Sequence, residues 1–176
     1  MGPTTYALCH KGLIGPVMWL AGLCVFPPLI PNISLPLGHA GTAVTQPFFV
    51  PVDKKYLWTL NFEFTSVEAR LDDKIVGSNF DSRCLSAPES LNSRSEFGRP
   101  IPIRIVVRRA NDRTVVVDTA FQSLCIHGHV DNKKSRAVGW VELTRGEYIA
   151  EITNVVAQRD LSGVVTTVSL VPGGAK

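Results

Sequence analysis

The sequence predicts an all-β chain folded as a two-sheet antiparallel β-sandwich of seven to eight strands. Three observations carry that reading. Tyr56 to Thr65 (YLWTLNFEFT) alternates: Tyr56, Trp58, Leu60, Phe62 and Phe64 point one way, and Thr59, Asn61, Glu63 and Thr65 the other. Period two over such a run describes a strand with one buried and one wet face. Short β-branched segments then recur to the end of the chain with turn signals about every 8–12 residues, the rhythm of a sandwich. Finally, Leu143-Thr144-Arg145-Gly146-Glu147-Tyr148 has the Leu-x-x-Gly-x-Tyr spacing of a tyrosine corner. There the phenol of Tyr148 would reach back to upstream backbone and lock a crossover between sheets, as in immunoglobulin-like domains.

The chain opens on a different kind of segment. From Gly12 to Val52 there is no Asp, Glu, Lys or Arg. Within that stretch Leu13 to Phe26 (LIGPVMWLAGLCVF) is an apolar core preceded by His10 and Lys11. A basic lead-in, a short apolar run and then small residues describe a secretory signal peptide. The run is shorter than the ~20 residues a membrane span requires, and Pro27, Pro28, Pro31 and Pro36 would end a helix there. Small residues at Gly38 and Ala40, and again at Gly41 and Ala43, offer two cleavage points; the cut is expected after Ala40, giving a leader of residues 1–40 and one domain of residues 41–176. Two alternatives stand beside simple cleavage. Leu20 to Cys24 approaches a bacterial lipoprotein pattern, although Leu23 precedes the cysteine where a small residue belongs. An uncleaved leader would instead leave the protein anchored, its one contact with a membrane. Either way the expected compartment is the periplasm or cell envelope.

In order along the body, Phe48 to Val52 reads as an edge strand, because Pro47 and Pro51 cannot donate to a ladder. Asp53-Lys54-Lys55 turns into the Tyr56 strand. Val67, Leu71 and Ile75 recur at four-residue spacing, and Thr65 with Glu68 has capping-box spacing, so one short helix is expected after this second strand, with Gly77 as its stop. Asp72 and Asp73 would lie on its solvated face. Ser78 to Pro100 lacks any period, and a loop of that length in a compact domain is usually functional or mobile. Ile101 to Arg109 alternates as a strand, and Thr114 to Phe121 is β-branched enough for a strand buried on both sides. Cys125 to His129, Arg136 to Thr144, Glu147 to Asn154 and Val164 to Val171 complete the set.

A body of 136 residues is the usual size of one domain. Omitting Lys11 from the 18 basic residues leaves 17 against 15 acids. That balance provides no footprint for nucleic acid, and Arg104, Arg108, Arg109, Lys133, Lys134 and Arg136 read as solvated strand and turn residues. Cys9 and Cys24 belong to the leader. Cys84 and Cys125 form the natural disulfide pair of an exported domain, worth roughly 4 kcal/mol for a loop of this size. Cys125, His127 and His129 would share one strand face and are metal-ligand types. A bridged Cys125 cannot ligate, however, so no metal and no cofactor is expected. Neither GxSxG nor HExxH occurs, and the chain reads as a non-enzyme.

The body also resembles a family of exported bacterial proteins known as domain of unknown function 5625. The residues carrying the likeness are Phe49-Val50-Pro51-Val52 with Tyr56 to Leu60, Arg99 to Ile105, Val141-Glu142-Leu143 with Gly146-Glu147-Tyr148, and Leu161 to Val164. The resemblance implies a compact β-sandwich in the cell envelope and supplies no catalytic residues. By analogy with small exported proteins of this kind, the expected role is a binding module for a protein partner, most concretely an immunity protein neutralising a secreted antibacterial toxin. The expected recognition surface is the Ser78–Arg99 loop, where Phe80, Arg83, Arg94, Phe97 and Arg99 are the arginine and aromatic types that anchor interfaces. The alternatives are a sandwich that binds carbohydrate or another envelope component, which would need Trp58 or Trp140 exposed where burial is expected of both, and a hydrolase with dispersed carboxylates.

Overall fold

The structure, a computed structural model, describes residues 27–81 and 95–173. Nine strands form two antiparallel sheets. They are β1 (Ile30–Ser34), β2 (Ala43–Val50), β3 (Lys54–Glu63), β4 (Ile101–Arg109), β5 (Val115–Ser123), β6 (Ile126–Val130), β7 (Lys133–Leu143), β8 (Gly146–Asn154) and β9 (Val165–Pro172). One sheet runs β1-β9-β3-β7-β6 and the other β2-β8-β4-β5. A single helical turn and a half, α1 (Val67–Asp72), follows β3.

The alternation read in β3 is the spine of the core. Tyr56, Trp58, Leu60, Phe62 and Phe64 are all buried, and they pack with Ile101, Ile103, Ile105 and Val107 of β4 and with Ala150 and Ile152 of β8. Strands β3 to β8 occupy the immunoglobulin positions B, C, C′, D, E and F: β3-β7-β6 gives the B-E-D order and β8-β4-β5 gives F-C-C′. The terminal strands are exchanged relative to that plan. The last strand, β9, lies against β3, and β2 lies against β8. With this assignment Tyr148 stands at the start of the F-like strand, and its hydroxyl donates to Thr144 O at 2.9 Å, the geometry of a tyrosine corner.

Four expectations need correction. The ninth strand, β1, lies in the stretch assigned to the leader. Ile30 pairs with Leu170, and Ile30, Leu35 and Leu37 are buried in the core, so the domain begins upstream of Gly41. Uncharged, proline-rich sequence hid a strand because prolines are tolerated on an edge. β5 is an edge strand with mostly exposed residues, not one buried on both sides; β-branching reflects strand propensity and says nothing of which edge is covered. Lys54 and Lys55 belong to β3, and the link from β2 crosses from one sheet to the other. In α1, Ser66 is the N-cap, accepting from Ala69 N at 3.1 Å, and Leu71 is 67% exposed, so the four-residue spacing does not face the core.

Candidate interaction site

The connection between β3 and β4 is fastened to the sandwich by two charged residues on inward positions of β7. Lys134 sits opposite Phe62, and Arg136 opposite Leu60, in the register of the core. Lys134 Nζ meets the Asp73 carboxylate at 2.7 Å with both side chains buried, and lies 5.6 Å from the centre of the Phe64 ring. The same carboxylate accepts from the backbone N–H groups of Ile75 and Val76 at 3.1 Å, fixing the chain as it leaves α1. Asp73 is therefore a buried structural residue, not a solvated helix carboxylate.

Arg136 is fully buried. Its guanidinium donates to the carbonyls of Ile75 (2.8 Å), Val76 (2.6 Å), Arg99 (2.8 Å), Ser123 (2.8 Å) and Phe97 (3.3 Å). A guanidinium has five N–H donors in a planar fork, so one side chain ties together both ends of the connection and the end of β5. Burial lowers its pKa to about 9, an effect opposed by the Asp73 charge and reinforced by Arg99, and at neutral pH it keeps its proton. Around it the chain approaches too closely for side chains. A Cβ on Gly77 would strike the Phe97 backbone, and one on Gly98 would strike Ile75 O and the Arg136 guanidinium; both glycines hold positive φ, 80° and 79°. Gly77 thus serves this crossing, while the helix ends at Asp72.

The expected recognition residues divide. Phe80 is 66% exposed. Phe97 is buried and packs with Leu124 and Cys125, so it is an anchor of the connection and not a contact surface. The Arg99 guanidinium turns outward to Asp160 at 3.0 Å, while its carbonyl accepts from Arg136. Arg83, Arg94 and Cys84 lie outside the described residues. Between the two arms of the connection runs an open groove of about 620 Å³, lined by Lys74, Ile75, Ser78, Glu96, Arg99 and Pro100 among others.

The Cys125-x-His127-x-His129 constellation does not assemble. Cys125 is buried ahead of β6 and is not a free thiol. The register of β6 slips between Ile126 and Gly128, leaving His127 as a bulge, and both histidines face solvent. A bulge resets the two-residue period, which is why these three positions do not share a face. The basic residues expected to be solvated divide: Lys134 and Arg136 are buried, while Arg104 forks onto Asp118 at 2.9 Å and Arg108 meets Glu151 at 3.3 Å on the other sheet. Trp58 is in the core, whereas Trp140 is 43% exposed on the outer face of the five-stranded sheet.

Residues 32–172 match the family described as Domain of unknown function (DUF5625). The chain belongs to that family. The match begins inside β1, in keeping with a DUF5625 domain that includes this strand. None of the curated proteins matches the chain. Among solved structures, it is similar to a crystal structure of a protein from Sulfurospirillum deleyianum, with 18% identity and a TM-score of 0.61 over 86% of this chain and all of that one. At that identity the likeness establishes the fold alone.

Proposed function

We propose that this DUF5625 protein is a non-enzymatic binding module of the cell envelope, and that it acts as an immunity-type protein for a secreted antibacterial toxin. One observation carries the reading. The β3–β4 connection is fixed at its base by Arg136 and by the Asp73–Lys134 pair, while Phe80 stands exposed on it. A recognition element whose base is already held in the free protein loses less entropy when it binds. Several of the described carboxylates also have structural employment. Asp118, Glu151, Glu142, Glu63 and Asp160 sit in ion pairs, and Asp53 and Asp112 cap turn N–H groups.

Export by a signal peptide and a Cys84–Cys125 disulfide complete this proposal. The bridge would tether the same connection at a third point, and thiol labelling of native protein before and after reduction tests it. Processing would fall upstream of Leu29, since Ile30, Leu35 and Leu37 belong to the core. The function is tested by co-expressing the protein with toxins encoded beside its gene, and measuring their affinity for a Phe80→Ser variant and for one in which a short Gly/Ser linker replaces residues 80–94. Protection and tight binding lost in folded variants support the reading; full affinity in both moves the site elsewhere.

A second reading has one specific observation behind it. Exposed Trp140 shares the outer sheet face with a row of amides and hydroxyls in which Asn61 bonds Asn32, Ser135 and Ser169. An aromatic surface beside such groups suits a glycan. Binding of envelope polysaccharide that is lost in Trp140→Ala would favour it.

A further inference from the structure

The sandwich has four sheet edges, and three carry devices that blunt strand addition. β1 is short, contains Pro31 and has an irregular register; β2 contains Pro47; β6 is short and bulged at His127. β5 is different. It runs for nine residues, VVVDTAFQS, without Pro, Gly or Lys, and among the described residues it pairs with β4 alone. Its one irregularity is the unpaired Val116 near its start. Long, unprotected edges of this kind are templates for another strand.

The hydrogen-bond parity of the sheet fixes which groups that edge presents. Val155 N donates to Pro102 O and Ala110 N to Glu147 O, so the even residues of β4 bond toward β8 and its chain continuation. Its odd residues therefore bond toward β5, where Ile103 meets Phe121, Ile105 meets Thr119 and Val107 meets Val117. Within β5 the outward N–H and C=O groups then belong to Asp118, Ala120 and Gln122.

We infer that β5 pairs with β5 of a second copy, antiparallel about a two-fold axis at Thr119, joining the two four-stranded sheets into one of eight strands. In this register the exposed groups and side chains complement themselves. Asp118 faces Ala120 of the other copy as a hydrogen-bonded pair, and its mate does the same, so no like charges stand directly opposite. On the inward face Thr119 meets Thr119, and Val117 meets Phe121 twice, in the closely spaced pairs where threonine–threonine and aromatic–β-branched contacts stabilise a sheet. A register one residue away, about Asp118, would set two carboxylates against each other. The proposal is independent of the toxin-binding reading, which concerns the β3–β4 connection.

The test is sedimentation equilibrium of the intact domain with two variants. Ala120→Pro removes a donor that points away from β4, so it leaves the internal ladder intact and should shift the protein to monomer at concentrations where wild type is dimeric. Thr119→Cys should form a reducible cross-linked dimer in high yield under mild oxidation, whereas Gln122→Cys, far from the axis, should not. A wild-type protein that stays monomeric at about 100 µM, or a dimer indifferent to Ala120→Pro and cross-linked equally at both positions, overturns the inference.

Discussion

Arg136 is the residue on which the arrangement turns, and its substitution should be costly. Breaking a buried charged group's contacts typically costs about 3–5 kcal/mol, because the partners are left unpaired. Arg136→Met keeps much of the volume and takes a donor from five carbonyls, of which Ile75 O keeps the Arg99 N–H, so its urea unfolding free energy should fall by about that amount; a change below about 0.5 kcal/mol would mean the carbonyls find other donors. Tyr148 is a smaller case. Its hydroxyl bonds Thr144 O and lies 3.1 Å from the Thr144 hydroxyl, and Tyr148→Phe should cost on the order of 1 kcal/mol. A denaturation midpoint equal to wild type would reduce Tyr148 to an ordinary strand residue. The two residues differ in how far sequence exposes them. The corner has its own spacing. Arg136 stands in a run of basic residues, KKSRAVGW, and only its place two residues before Val138 signals an inward charge. Read without a register for β7, that signal is ambiguous, because the strand slips opposite Trp58 and Thr59.

Among the elements, β3 and β4 were legible because one wet and one dry face impose a strict period on a long run. β1 was not, because a five-residue edge strand with Pro31 carries no period and borders an apolar segment that dominates the reading. Its contribution is measurable. Ile30, Leu35 and Leu37 are buried, Leu29 N bonds Leu170 O, and Leu35 N bonds Thr166 O. Burying one such side chain is worth about 1.5–3 kcal/mol, so losing three approaches the whole stability of a domain. Protein starting at residue 41 should therefore lack a cooperative thermal transition, whereas protein starting at residue 27 should show one. Equal melting of the two would make β1 dispensable and restore the boundary at Ala40. Recognition was read with the same unevenness. Phe80 is exposed and Phe97 is an anchor, since an aromatic in an aperiodic stretch gives no sign of which way it points.

For the molecule as a whole, the claim is that the described arms of the β3–β4 connection are held in place by two charges from the core. The sandwich supplies the frame, with exchanged terminal strands closing both sheets. Arg136 and the Asp73–Lys134 pair then order the arms, which also bond one another: Ser78 and Asn79 N–H to Glu96 O, Arg99 N–H to Ile75 O, and Ile126 N–H to Asn79 O. Amide hydrogen exchange reads those groups directly, since local opening exposes them without global unfolding. In the wild-type domain, the amides of Ser78, Asn79, Arg99 and Ile126 should be protected well beyond an exposed loop. In Arg136→Met under native conditions they should exchange rapidly, while Thr59, Leu60 and Leu170 in the central strands stay protected. Unchanged protection of the connection in that variant, with the sandwich still folded, would contradict the account.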